Sequence, residues 1–389
     1  MYDGQIVFSQ LMDFVPRRPF DTFVRRYHGQ RRVRRFSCRD QFLAMAFAQL
    51  TYRESLRDIE TCLRAMGPKL YHAGFRGRVS RSTLADANEQ RDWRIWAGLA
   101  AVLIERARVL YASDAMCVAL EQTVYAFDST TIDLCLSLFP WASFRRHKAA
   151  VKLHTLIDLR GNIPCFIRVT HGKVHDVKAL DHLPIEPGAY YVMDRGYVDF
   201  ARLHRFERAK AFFVIRAKKN MDFAVHAYRR VDKTTGLRCD QTIALRGVKS
   251  SKTCPDRLRR IRYTDPDTGQ RLVLLTNCFL LDAITITQLY KARWQVELFF
   301  KWIKQNLRIK AFYGTSPNAV KTQIWIALCV YVLVAIVAKE HAIARSPSEI
   351  LQILGIMLFE KVPMNNALAE QYGYVSEIDD RNQLTLFDF

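Results

Sequence analysis

A chain of 389 residues with 59 lysines and arginines against 38 aspartates and glutamates carries a formal charge of +21, and 50% of its residues are hydrophobic. That composition excludes a disordered chain, leaves room for two or three domains, and calls for a polyanionic partner, either nucleic acid or an anionic membrane. Nine cysteines scattered from Cys38 to Cys329, without a CxxC pair, exclude a disulfide framework and a zinc ribbon and point to a reduced, cytosolic chain.

The first segment, MYDGQIVFSQLMDFVPRRPF, is interrupted by Asp3, Gln5, Gln10 and Asp13 and does not read as an export signal. Nine arginines between Arg17 and Arg39 follow. Such a run is either a solvated arm or a tracker of phosphates. Residues 40–66 have helical periodicity, with Thr51 and Glu54 forming a capping-box pair that starts a second helix, and Gly67 and Pro68 ending it. After a Gly- and Arg-rich stretch, Ser80 or Ser82 caps a long helix predicted over 83–111. Its polar first turns make a helix-turn-helix-like unit in which Arg81, Asn88 and Arg91 are the expected DNA contacts.

Beyond residue 112 the period changes to that of strands. TVYAFDST, VKLHTLIDL and IPCFIRVTH form a predicted meander, the last two joined by the turn residues Arg160, Gly161 and Asn162. A short helix over 177–183, the strand AYYVMDRG, a helix over 199–208 and the strand AFFVIRA follow. Residues 218–270 are polar, basic and turn-rich, as expected of a β-rich insertion, before the apolar strand RLVLLTN. An amphipathic helix over 284–307 and an apolar helix near 324–340 complete the pattern. The uncharged run IWIALCVYVLVAIVA falls short of the roughly 20 residues that cross a bilayer, so it reads as a core helix. With no membrane anchor expected, the positive charge points to nucleic acid.

Three strands, a helix, a strand, a helix and a strand is the order of a ribonuclease-H-like α/β fold. Within it, Asp128 closes the run VYAF and Asp194 closes YYVM. Carboxylates at the ends of adjacent buried strands suit Mg²⁺ or Mn²⁺, hard cations that keep waters and accept substrate phosphates. On the predicted helix at 284–307, Tyr290, Arg293, Glu297 and Lys304 fall in a stripe about 60° wide, with Lys301 beside it. The apolar Val296, Phe299, Phe300, Ile303 and Leu307 face the other way. A solvated salt-bridge face explains Arg293 beside Glu297 but not Tyr290 or the two aspartates.

The spacing Y-x2-R-x3-E-x6-K, together with FDSTT and MDRGYVDF, resembles the signature of insertion-sequence-4-type DDE transposases. The resemblance spans nearly the whole chain. It implies a DNA transposase that cuts transposon ends and joins them to target DNA, with Asp128, Asp194 and Glu297 as catalytic metal ligands. It also implies DNA contacts from Tyr290, Arg293 and Lys304, to which Lys301 of the same stripe is added, and stacking of Trp294 on an unpaired base, against which stands packing of Trp294 on the insertion. Expected partners are the terminal inverted repeats, target DNA and a second copy in a synaptic homodimer; the expected location is the bacterial cytoplasm, on the nucleoid. The rival readings are a ribonuclease-H-like nuclease or resolvase without strand transfer, and a non-catalytic DNA-binding regulator.

The corresponding division is a helical basic DNA-binding domain at 1–112, the core at 120–217 and 271–345, the β-rich insertion at 218–270, and a C-terminal segment at 346–389. The tail QLTLFDF resembles the QLxLF peptide by which bacterial DNA-processing proteins dock on the replicative sliding clamp. Gln383 would meet a polar rim, and Leu386 with Phe387 an apolar pocket, with Leu384 also in the docking peptide and Thr385 in place of the usual serine or aspartate. The alternative is a tail that folds back on its own chain.

Overall fold

The computed structural model describes residues 4–31, 33, 35–116, 118, 120–307, 309 and 312–369. Seven helices come first: α1 (Val7–Asp13), α2 (Arg17–Arg26), α3 (Cys38–Leu50), α4 (Leu56–Ala65), α5 (Lys69–His72), α6 (Arg81–Gln90) and α7 (Arg94–Tyr111). Their caps differ from the sequence expectation. The capping box belongs to Ser37 and Asp40 at the start of α3, whereas Thr51 is a C-cap, and α4 is started by Ser55, whose side chain accepts from the Asp58 amide. Ser80 caps α6 through the Thr83 amide.

The single helix expected over 83–111 is two helices. Arg91 is extended, with φ −79° and ψ 132°. The Asn318 amide, 227 or more residues further along, donates to the carbonyls of Asn88, Glu89 and Arg91 and satisfies the broken helix end. No local pattern signals a break made by so distant a side chain.

The strands are β1 (Val124–Leu134), β2 (Ser143–Arg145), β3 (Lys148–Asp158), β4 (Ile163–His171) and β5 (Tyr190–Met193), then, after α8 (Phe200–Arg208), β6 (Phe212–Arg216), β7 (Phe223–Arg229) and β8 (Leu237–Leu245). Helix α9 (Val248–Thr253) precedes β9 (Leu258–Thr264) and β10 (Arg271–Thr276). They form one ten-stranded sheet in the order β2-β3-β1-β5-β6-β10-β9-β8-β7, with β4 also on β3. β1, β3 and β4 are an antiparallel meander, and β5 and β6 run parallel to β1. At the β3–β4 turn Gly161 and Asn162 both have positive φ, 70° and 56°. A Cβ on Gly161 would lie 2.2 Å from the Tyr111 ring, so only glycine fits.

The strands of 218–270 continue this sheet through β10 and extend its far edge.

The chain then forms α10 (Ala283–Ala292), α11 (Trp294–Asn306), α12 (Pro317–Glu340), α13 (Pro347–Met357) and α14 (Met364–Leu368). The single helix predicted over 284–307 is jointed at Arg293, the residue shared by the ends of α10 and α11. α12 runs 24 residues, longer than its apolar run implied, so length alone does not argue against a membrane span. Burial does: the helix is enclosed by protein, packed on α7, α3 and α6. One hydrophobic cluster therefore joins the amino-terminal helices, α12 and one face of the sheet, while α8 and the opposite face share a second. Trp96, fully buried, stacks on Phe42, and Trp93 on Trp325 of α12.

Candidate active site

Two strand positions and one helix joint converge at one end of the sheet. Val124 to Phe127 are buried, and Asp128 follows on the face toward α11. β1 does not end there: antiparallel pairing with the 11-residue β3 carries it on to Leu134, so Asp128 is mid-strand and not strand-terminal. Only its parallel partner stops, with Phe127 level with Met193, and Asp194 leaves β5 beside it. The two carboxylates are adjacent because the two strands are in register.

The third element is the α10–α11 joint. Tyr290 is buried and its hydroxyl donates to Asp194 Oδ1 at 3.2 Å. Arg293 donates from Nη1 to Asp128 Oδ2 at 2.9 Å and from Nη2 to Glu297 Oε1 at 2.5 Å. Its Nε is buried with no hydrogen-bond partner among the described residues. The structure thus brings together Asp128, Asp194, Tyr290, Arg293 and Glu297, with the tyrosine and arginine turned onto the carboxylates.

Burial pushes the Asp128 carboxyl up to about 6; the Ser129 amide and Arg293 pull it down, and Glu297 and Asp194 push it further up. Burial works against the charge of Arg293, but its hydrogen bond to Glu297 and the nearby Tyr290 and Asp128 outweigh that and raise its pKa. The Tyr290 hydroxyl is pushed up to about 12, first by burial. Carboxylates that repel one another around a single guanidinium leave an excess of negative charge at this edge.

As the side chains stand, no three carboxylates, imidazoles or thiols among the described residues are placed to hold one ion together. Arg293 bridges Asp128 and Glu297 with its own charge. The donor chemistry nevertheless fits a hard divalent cation: carboxylate oxygens only, one of them desolvated, with Glu297 58% exposed at the open side.

Trp294, the first residue of α11, is 52% exposed, and Lys301 is exposed one turn beyond Glu297; Lys304 is half-buried further along the same helix. Arg81 is exposed at the start of α6. Asn88 and Arg91, expected at a DNA surface, are interior instead. The Gln41 amide donates to Asn88, while Arg91 donates to Gln41 Oε1, to the Ser37 carbonyl at 2.9 Å and to the Phe36 carbonyl. Their polarity serves the packing of α6 on α3. The tail residues Gln383, Leu384, Leu386 and Phe387 lie outside the described residues.

A supporting layer escaped the sequence reading. Ser129 donates to Asp176 Oδ1 at 2.8 Å, and Lys152 pairs with the same oxygen at 3.0 Å. His154, fully buried on β3, sits 3.9 Å from it through Nδ1 and shares a hydrogen bond with Thr170 through Nε2. Burial pulls this histidine down to about 4. The sequence signals were the serine after Asp128 and the aspartate of VHD; only the pairing of β1 on β3 and of β3 on β4 brings them together.

The transposase DDE domain family matches residues 119–333, and a domain-of-unknown-function family matches residues 3–76. The chain is 34% identical to the transposase y4zB of Sinorhizobium fredii over 72% of this chain and 77% of that one. It is 33% identical to a transposase for insertion sequence element IS5377 of Geobacillus stearothermophilus, over 53% and 54% of the two chains. A transposase for insertion sequence element IS4SA of Synechocystis is 24% identical over 80% of this chain and 87% of its own length.

Proposed function

The chain belongs to the DDE transposase family of insertion-sequence-4 type, and from that premise we propose that it cuts the ends of a DNA element and joins them to target DNA with Asp128, Asp194 and Glu297 as its catalytic carboxylates. The observation that carries the assignment is the convergence of those three residues on Arg293 and Tyr290, from two strands and a helix joint. The strand order β4-β3-β1-β5-β6, with an antiparallel meander followed by two parallel strands, supports a ribonuclease-H-like core.

Asp128, Asp194 and Glu297 would hold Mg²⁺ or Mn²⁺, which supplies an activated water or 3′-hydroxyl and stabilises the leaving oxygen. The chain's own groups do the rest. Arg293 holds Asp128 and Glu297 in place before DNA arrives and then turns to a backbone phosphate, a natural exchange of one oxyanion for another. Tyr290 fixes the orientation of Asp194 and offers its hydroxyl to the same backbone. Lys301 and Lys304, further along α11, take flanking phosphates, and the half-exposed Trp294 ring offers a platform for an unpaired base. Arg81 supplies a phosphate contact from the amino-terminal helices. A second copy completes the synaptic complex, and residues 383–387 dock on the sliding clamp.

The test uses the full chain and a duplex bearing the element's terminal repeat. Alanine at Asp128, Asp194 or Glu297 abolishes cutting while end binding persists, and pre-cut ends are joined to target DNA by the unaltered protein. Cutting by Glu297→Ala at near the unaltered rate overturns the assignment.

A further inference from the structure

The sheet extension carries Arg238 on β8, Arg262 on β9 and Arg271 on β10 at the same end of the sheet as the catalytic carboxylates. The register makes this explicit. Met193 is level with Ile215, so Asp194 stands level with Arg216 at the end of β6. The next amide, Ala217, donates to Val273 on β10, and Val273 pairs with Arg262 on β9. Two positions closer to the sheet end, Arg271 pairs with Thr264, and Arg238 of β8 reaches the same threonine, its Nε donating to Thr264 Oγ1 at 3.4 Å. Side-chain alternation puts Arg262, Thr264 and Arg271 on one face, opposite to Leu272, Leu274, Ile261 and the catalytic carboxylates, and Arg238 joins it through the β8 bulge, so the row meets a duplex that crosses over the sheet end.

The three arginines are exposed, and no carboxylate among the described residues pairs with any of them. Behind them Arg260 lies 5.0 Å over the Phe223 ring and donates to Gln241. Its pKa is lowered, first by burial, with Arg262 adding like-charge repulsion. Tyr228, 73% exposed on β7, closes the row. The acidic groups of this sheet end are engaged elsewhere: Asp265 pairs with Lys291, and Asp232 accepts from Thr234. Asp267, in the β9–β10 turn, is the exposed exception.

We propose that Arg238, Arg262 and Arg271 form a phosphate-tracking row that holds duplex DNA as it leaves the catalytic edge. Crowded like charges without counter-carboxylates cost stability, and a polyanion removes that cost. Strands about 4.8 Å apart spread the row from β10 to β7 over roughly 14 Å. A duplex offers one negative charge per about 1.7 Å of axis, so several phosphates lie within reach of it. The row reads no bases; it lengthens the grip on DNA. This inference rests on the transposase reading, and it assigns the insertion strands a binding role that the signature residues do not include.

The experiment is fluorescence anisotropy of the full chain on a 30-base-pair duplex of mixed sequence, titrated from 50 to 200 mM NaCl. Replacing Arg238, Arg262 and Arg271 together by alanine should lessen the slope of log affinity against log salt by about 2.7, that is, about 0.9 for each lost contact. Over that fourfold range the variant's affinity then falls about 40-fold less than that of the unaltered protein. The triple lysine variant keeps the charge and should restore the slope, and circular dichroism checks that both are folded. If the unaltered protein binds but the alanine variant keeps its slope, the row is wrong and the transposase reading stands. If the unaltered protein binds no duplex at all, the transposase reading fails and the row fails with it.

Discussion

Two buried arginines in this molecule look alike in sequence and behave in opposite ways. Arg259, on β9 in the sheet extension, is 2% exposed and matched to one carboxylate: Nε and Nη2 meet the two Asp240 oxygens at 2.9 and 2.7 Å, and Nη1 donates to the carbonyls of Cys278 and Leu281. Each of its nitrogens is used. Arg293, at the α10–α11 joint, is shared between Asp128 and Glu297, has a buried Nε without a partner among the described residues, and sits among carboxylates that repel one another. The first cluster is closed and holds strands together. The second is open and over-supplied with negative charge, an imbalance that the proposed entry of a cation would relieve.

The sharpest separation comes from removing each arginine. Arg293→Ala should lower single-turnover cutting by about 10²–10³-fold, the usual cost of losing one preorganised donor aimed at developing negative charge. Its melting temperature should move little, because Glu297 is solvated and Asp128 can take up a proton. Arg259→Ala should instead cost about 3–5 kcal/mol of unfolding free energy in urea, since Asp240 is left buried and unpaired. Its cutting rate per folded molecule should be near that of the unaltered chain. If the two variants exchange these phenotypes, the distinction between closed and open clusters is lost.

The supporting layer gives a smaller, pH-dependent effect. His154 has its pKa depressed from 6.5 to about 4. The unfolded chain therefore binds the extra proton first, and stability from the neutral ring is full above pH 6.5 and lost as pH falls towards 4. The loss amounts to about 3 kcal/mol across that window. His154→Gln, which can keep a bond to Thr170, should remove this part of the acid limb in urea denaturation measured at pH 4.5 and 7.5. An unchanged limb would show that the ring is not held neutral.

The comparison also explains what the sequence could reveal. The three-strand meander, the aspartates after VYAF and YYVM, and the Tyr290–Lys304 spacing are local patterns, so they were legible. The break at Arg91 was not, because the cap that stabilises it is Asn318, and neither was the burial of Asn88 and Arg91, polar residues that satisfy one another across α3 and α6. The union of residues 218–270 with the main sheet depends on β10 pairing β6, a register no single segment encodes. For the same reason the arginine row was invisible: Arg238, Arg262 and Arg271 are separated in sequence and aligned only by the strands.

Asp128→Asn tests most directly the proposal that the acidic cluster serves catalysis at the expense of stability. Asp128 has its pKa raised to about 6, so its proton is bound more tightly in the folded chain and its contribution is lost as pH rises through that value. Asparagine mimics the protonated form without titrating. Urea denaturation of the two proteins across pH 4 to 8, with cutting assayed in parallel, should show the variant inactive yet more stable. The difference should open between pH 4 and 6 and level off at roughly 1–3 kcal/mol above it. A variant that is less stable than the unaltered protein at pH 8, or one that still cuts, would contradict the account.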